Sequence, residues 1–280
     1  MLCGMKLWAI SDLHLGFGAN RTAVQALGAR PDDWLIVAGD VGETEAHMRL
    51  AFEVLGTKFR RLVWVPGNHE LYRSRGDPDA PRGADKYAAM VAQCRAAGVL
   101  TPEDEYPVWE GEGGPHVIAP LFLGYDYSFR PPEVSEEGAV AWCAETGVVA
   151  ADEELLDPHP YPSRQAWCTA RVADAEARLA RAPNLPLVLV NHYPLREDLA
   201  VLPRIPRFKI WCGTKATEDW HRRYRAAVVV SGHLHIPRTS WIDGVRFEEV
   251  SLGYPRQRYR GPDIESYLRE ILPGPSARGA

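Results

Sequence analysis

The chain has no apolar run long enough to cross a bilayer. Its longest, such as LIVAG and PLVLVN, fall far short of the roughly 20 residues a spanning helix needs. It also lacks an excess of positive charge. Lys and Arg number 32 against 37 Asp and Glu, a net charge of −5. No global basic field is available, so neither nucleic acid nor a membrane surface is expected as a partner. Cysteine is sparse and scattered: the five at 3, 94, 143, 168 and 212 form no CxxC pair. They read as reduced thiols rather than a disulfide framework or a thiolate zinc cluster. The opening stretch MLCGMKLWAISD has no charged-then-apolar leader. A cytoplasmic protein is therefore expected. Internal repeats and low-complexity linkers are absent too.

What is present is a globular composition, 46% apolar and 25% charged over 280 residues, enough for one sizeable core. Short apolar, β-branched runs stop at polar tips: KLWAISDLH (6–14), DWLIVAGD (33–40), RLVWVPGNH (61–69), PLVLVNH (186–192) and AAVVVSGH (226–233). Such runs suit strands buried on both faces. Helical stretches fall at 21–29, 45–58, 84–97 and 164–182. The alternation predicts an α/β fold. Asp243-Gly244, inside 238–252, predicts a hairpin. A short helix is expected at 263–272. Residues 124–165 are rich in prolines, aromatics and acids without clean periodicity, and read as an inserted lid. The expected organisation is a single domain over 1–272 with a disordered tail, 273–280.

Each of the five runs ends in residues able to hold a metal: Asp12 and His14, Asp40, Asn68 to Glu70, His192, and His233 with His235. Open α/β sheets carry their ligand sites at the carboxyl ends of strands. In extended chain, residues i and i+2 point the same way, so Asp12 with His14, and His233 with His235, are expected to converge. The glycines before Asp40, Asn68 and His233 permit tight turns. Carboxylate, amide and imidazole together suit Mn, Fe or Zn. The seven candidate ligands, Asp12, His14, Asp40, Asn68, His192, His233 and His235, are too many for one ion. They suit two ions sharing a carboxylate. The histidines at 47, 116, 159 and 221 lie outside these ends and are expected to be structural.

The pattern DxH…GDxxE…GNHE…NH…GHxH resembles the calcineurin-like metallophosphoesterases. The resemblance implies a four-layer α/β/β/α sandwich with a dinuclear centre of divalent or trivalent ions, Mn²⁺ and/or Fe, or Zn. It implies that Asp12, His14, Asp40 and His235 hold one ion. Asp40 then bridges to a second ion held by Asn68, His192 and His233. His69 would contact the phosphate and protonate the leaving oxygen, while Glu43 and Glu70 orient the ligands. Purple acid phosphatases carry tyrosine where Glu43 stands and glycine where His14 stands, so no tyrosinate–iron colour is expected.

The stretches VPGNHELY, LVNHYPL, IWCGTK, DWHRRY and GHLHIPRTSWIDGVRFEEVSLGYPR are also similar to the actinobacterial phosphopantetheinyl hydrolases. That similarity implies hydrolysis of the phosphodiester between phosphopantetheine and the serine of an acidic acyl or peptidyl carrier protein. A broader phosphomonoesterase or nucleotide phosphodiesterase, and a non-catalytic scaffold, are the rival readings. Residues 196–225 hold eight Arg or Lys against four Asp or Glu, and Arg204, Arg207, Lys209 and Lys215 are candidate carrier contacts. Tyr125, Tyr127, Phe129 and Arg130 are candidates for lining a pantetheine channel.

Overall fold

The computed structural model describes residues 4–275, apart from 75, 78, 259, 260 and 262. Strand and helix alternate first: β1 (Leu7–Ile10), α1 (Gly18–Ala26), β2 (Arg30–Val37), α2 (Glu45–Gly56), β3 (Phe59–Trp64), α3 (Asn68–Leu71) and α4 (Gly83–Ala96). The middle holds β4 (Val108–Trp109), β5 (His116–Pro120), α5 (Ala139–Ala144), α6 (Asp152–Leu155) and α7 (Arg164–Leu179). The last part runs β6 (Leu187–Val190), α8 (Trp220–Arg223), β7 (Ala226–Ser231), β8 (Arg238–Ile242), β9 (Val245–Glu249) and β10 (Arg269–Leu272). Local chemistry sets several boundaries. The Thr44 hydroxyl accepts from the His47 N–H at 3.2 Å and starts α2, and Ser163 does the same for α7 through Ala166 at 3.1 Å. Asp243 and Gly244 both take positive φ, 51° and 76°, as a two-residue hairpin turn requires.

Two sheets form, in the orders β10-β1-β2-β3 and β4-β5-β6-β7-β9-β8. β1, β2 and β3 are parallel, as are β5, β6, β7 and β9. Neighbouring residues of β2 and the turn after it show the layering. Leu35 and Val37 pack with α1, α2 and α4, whereas Ile36 and Ala38 meet Val188, Val190, Val228 and Val230 of the other sheet. Outside the second sheet, Leu179 of α7 and Trp220 of α8 cover Leu187, Leu189 and Val229. The result is the four-layer α/β/β/α sandwich. Each fully buried aliphatic side chain in these layers contributes about 1.5–3 kcal/mol.

The two sheets are joined where the site lies. The Ser11 N–H donates to the Val250 carbonyl at 3.0 Å, just past the ends of β1 and β9. The carboxyl ends of both parallel sets therefore open on one edge.

Two expectations need correction. Residues 263–272 are not a helix. A 3₁₀ turn at Ile264–Ser266 leads into β10, which pairs antiparallel with β1, Leu7 opposite Leu272. Burial of Ile271 in the inter-sheet core, and cover for the β1 edge, outweigh local helix propensity here. The expected tail is attached as far as Pro275, whose carbonyl accepts from Arg246 at 3.2 Å; residues 276–280 lie outside the described residues. The 124–165 segment packs closely. Tyr125, Tyr127, Ala139, Cys143 and Ala150 bury themselves against Tyr193, Ile210 and Trp211.

Candidate metal centre and its neighbours

The turns after β1 and β2 are tied together. Asp12 N–H donates to the Gly39 carbonyl, and His14 N–H to the Asp40 carbonyl, each at 2.9 Å. Space there is tight. A Cβ at Gly67 would stand 2.1 Å from Asp40 Oδ1, and one at Gly232 would stand 2.4 Å from Asp12 Oδ2. Only glycine fits either position.

Convergence does not arise from extended chain. Asp12, His14, Asp40, His233 and His235 have φ of 54°, 42°, 54°, 71° and 55°. Left-handed backbone costs a non-glycine residue on the order of 1–3 kcal/mol and concentrates at functional sites. The strand-end turns aim these side chains inward, and the surrounding hydrogen bonds hold them there.

Asp40 sits at the centre. Its Oδ2 lies 3.8 Å from His14 Nε2, 3.9 Å from His69 Nε2 and 3.5 Å from His192 Nε2. Donor atoms of Asp12, His14 and His235 lie within 4.8 Å of one another, as do those of Asp12, Asp40 and His192. Asn68 and His233 line the cavity beside Asp40, and the buried atoms Asn68 Oδ1, His192 Nε2 and His233 Nε2 have no hydrogen-bond partner. The His192 ring nitrogen Nδ1 meets the Ala38 carbonyl at 2.9 Å. The ring is thereby oriented with Nε2 toward Asp40.

The surrounding groups define which ligand atoms remain available. Asp12 Oδ2 accepts from the Ser11 hydroxyl at 2.5 Å, the Ser251 hydroxyl at 2.7 Å and the His233 N–H at 3.0 Å. Its Oδ1 is left facing His235 Nε2 at 3.0 Å. Glu70, fully buried, accepts backbone N–H groups from Asp40 at 3.0 Å, Val41 at 2.8 Å and Gly67 at 3.0 Å. It staples the turn after β2 to the turn after β3. Burial and the nearby Asp40 raise its pKa to about 7.

The electrostatics favour cations. Burial opposes charge on His235 and His69, yet Asp12 and Gln257 push the first, and Asp40 and Glu43 the second, up to about 9. Burial keeps His14 and His233 neutral, at about 3, so their lone pairs are open to a ligand. His69 Nδ1 meets Glu43 Oε1 at 3.2 Å, and its Nε2 meets the Tyr254 hydroxyl at 3.3 Å.

A model of the family described as calcineurin-like phosphoesterase matches residues 5–237. The chain is a calcineurin-like phosphoesterase. This phosphoesterase is 50% identical over 273 residues to the [acyl-carrier-protein] phosphodiesterase PptH of Mycobacterium tuberculosis, covering 96% of this chain and 84% of that protein. The crystal structure of phosphopantetheinyl hydrolase from M. tuberculosis superimposes with a TM-score of 0.93, at 48% identity and 100% coverage of both chains.

The structure does not bring every sequence candidate to the metal centre of the phosphoesterase. Tyr127 is buried and donates to Glu153 at 2.7 Å. Phe129 is buried beside Cys212, and Arg130 is spent on carbonyls of its own loop at Val134 and Tyr127. Tyr125 is buried behind the site, against Tyr193. The basic segment is largely neutralised. Lys209 and Lys215 both bind Glu197, at 2.5 and 3.0 Å, and Arg207 binds Glu145 at 2.8 Å. Arg204 alone of those four candidates has no ion-pair partner among the described residues, and it borders the site entrance. His221 is buried and held by Asp243 at 2.9 Å beneath the hairpin.

Sequence reasoning missed Asp152, Ser251, Tyr254 and Gln257. Gln257 Oε1 meets His235 Nδ1 at 2.7 Å, and the Tyr254 ring packs 4.4 Å from that of His14. A signal for three of them existed. β9 is parallel to β7, so its carboxyl end is another strand end on the ligand-bearing edge. Asp152 had none, because it comes from the segment without periodicity. A cavity of about 310 Å³ opens over the site, walled by Leu202, Ile205, Phe208 and Leu234 and reaching His69 and Asp152.

Proposed function

We propose that this chain is a dinuclear-metal phosphodiesterase that hydrolyses the phosphopantetheine–serine phosphodiester of holo acyl or peptidyl carrier proteins, leaving the apo carrier. The observation carrying the metal reading is the inward convergence of Asp12, His14, Asp40, His192 and His235, with Asn68 and His233 lining the cavity beside them and Asn68 Oδ1, His192 Nε2 and His233 Nε2 buried without a hydrogen-bond partner. The donor set has no thiolate and suits Mn, Fe or Zn. Half of the sequence shared with the M. tuberculosis phosphodiesterase supports the substrate class.

Asp12, His14, Asp40 and His235 would hold one ion, and Asp40, Asn68, His192 and His233 the other. When bound, the two ions neutralise the anionic diester and bring a water's pKa toward neutrality. The protein's own residues do the rest. Ser11 and Ser251 keep Asp12 turned so that one oxygen faces His235. Glu70 holds Asp40 in place through the backbone on either side of it. His69, favoured in its protonated form by Asp40 and Glu43, donates to the departing serine oxygen. A serine alkoxide is a poor leaving group, so a positioned acid is worth on the order of 10²–10⁴-fold.

The cavity beside the site has an apolar wall of Leu202, Ile205, Phe208 and Leu234, which suits an aliphatic, amide-bearing arm. The 124–165 segment serves as its cap within a single domain. Arg204 offers one charge at the entrance for an acidic carrier. The free, buried thiols of Cys94, Cys143, Cys168 and Cys212 are in keeping with the cytoplasm.

Incubating the Mn²⁺-loaded protein with a holo carrier and assaying released phosphopantetheine through its thiol tests the reading. Release that chelator abolishes is expected. Cleavage of nitrophenyl phosphate esters with none of the carrier would move the assignment to a small phosphoester.

A further inference from the structure

The carboxylate of Asp152 reaches the metal centre from the 124–165 segment, and its position there is specific. Asp152 Oδ1 accepts from Asn68 Nδ2 at 2.9 Å and from the Tyr72 hydroxyl at 2.7 Å. The Tyr72 oxygen itself accepts from Asn68 Nδ2 at 2.9 Å. The three side chains close a triangle, and all three are buried, with exposures of 3% for Asp152, 5% for Asn68 and 6% for Tyr72.

An amide has two donors on one side and an acceptor on the other. In this triangle the amino side of Asn68 faces both neighbours, which stand 2.7 Å apart and share its donation. Its Oδ1 is left turned away from them, buried and without a partner. The flipped amide would press that oxygen against the Asp152 carboxylate. With all three side chains buried, little solvent is there to relieve the repulsion.

Asp152 is itself held firmly. Arg164 donates to the Asp152 carbonyl at 2.7 Å, to the Glu153 carbonyl at 2.9 Å and to the Leu156 carbonyl at 2.9 Å. Arg73 N–H donates to the Leu155 carbonyl at 2.8 Å, docking α6 beside the chain that leaves α3. The carboxylate is thus presented by a clamped turn.

We propose that Asp152 is a positioning residue for the second metal ion: it sets the Asn68 amide so that Oδ1, and not Nδ2, faces the ion. The inference rests on the dinuclear reading above. The cap segment then completes the metal centre as well as covering it.

Calorimetric Mn²⁺ titration of chelator-stripped full-length protein tests this, with melting curves as the check on folding. Wild type should take up two ions. Asp152→Leu, similar in size but unable to accept, should weaken one ion by about 10–100-fold, as loss of a ligand-orienting partner does, and leave the other unchanged. Asp152→Asn keeps an acceptor and should restore the two-ion isotherm, a rescue that a space-filling role would not require. Should the leucine variant fail to fold, Tyr72→Phe decides, with roughly fivefold weaker binding of the same ion expected from one lost hydrogen bond. Two ions bound at wild-type affinity by the leucine variant, or by the phenylalanine variant in its place, would overturn the role of Asp152. Wild-type protein that takes up fewer than two ions would overturn the dinuclear reading and this inference together.

Discussion

The Nε2 atoms of His14 and His235 stand 3.0 Å apart, with His235 Nε2 also 3.0 Å from Asp12 Oδ1. Against burial, Asp12 raises His235 to about 9, whereas burial lowers His14 to about 3. Residues more than 200 positions apart in sequence thus share one small space that favours a cation, and a metal ion would meet the same atoms.

That pair gives the first prediction. A raised histidine pKa stabilises the chain below 6.5, and this stabilisation is lost as pH rises through about 9. Metal must displace the proton, so uptake near pH 7.5 should release protons and tighten as pH rises toward 9. Calorimetry in two buffers of different ionisation enthalpy reads this directly. His235→Ala should lose the first ion and its proton release; heats independent of buffer in the wild type would contradict the account.

His69 separates chemistry from binding. His69→Ala should keep both ions yet slow turnover by about 10²–10⁴-fold on a serine ester, with far less effect on a nitrophenyl diester whose leaving group needs no acid. The wild-type rate on poor leaving groups should fall as pH rises and His69 deprotonates. Bound cations would pull that transition below the value of about 9 to which Asp40 and Glu43 raise it without them. Equal losses on both substrates would rule out the acid role.

Glu70→Ala should damage stability and metal content together. The change strands backbone N–H groups of Asp40, Val41 and Gly67 in a buried turn, each costing about 1–3 kcal/mol. A large drop in melting temperature with loss of bound metal is expected; a variant that melts like wild type would show the staple to be dispensable.

Glu103 offers a pH test remote from the metals. Burial alone would raise its carboxyl, but Arg171 at 2.7 Å and the Tyr87 hydroxyl at 2.7 Å hold it below its ordinary 4.5. A depressed carboxylate contributes stability above 4.5 that disappears as pH falls through its folded value. Glu103→Gln should therefore flatten the acid limb of the stability curve, measured by urea unfolding between pH 3 and 6.

Arg204 should matter more for carrier encounter than its neighbours. Lys209 and Lys215 are spent on Glu197, whereas Arg204 borders the entrance unpaired among the described residues. Arg204→Glu should slow the carrier reaction at low salt and leave a nitrophenyl diester unaffected. A salt-independent carrier rate in the wild type would remove the electrostatic argument.

The layered fold and the ligand-bearing edge were legible because buried parallel strands write themselves as continuous β-branched runs with polar tips. The ligand types at those tips were plain, but the backbone that aims them was not. Asp12 and His14 converge through left-handed turns, and nothing in a DxH spacing reveals a φ of 54° or 42°. β10 was mistaken for a helix because its placement depends on the β1 edge, a partner more than 250 residues away. Charge counting overrated the 196–225 segment, since sequence shows the number of bases and not that Glu197 engages two of them. Aromatic residues at 125, 127 and 129 signalled burial, as aromatics commonly do, and all three are buried.

The most direct test of the whole account is the intact mass of a holo carrier protein after exposure to the Mn²⁺-loaded enzyme. A mass loss equal to the phosphopantetheine group, blocked by chelator and by Asp40→Asn, is the predicted result. An unchanged carrier mass, from protein that holds two ions and cleaves nitrophenyl diesters, would contradict the carrier assignment.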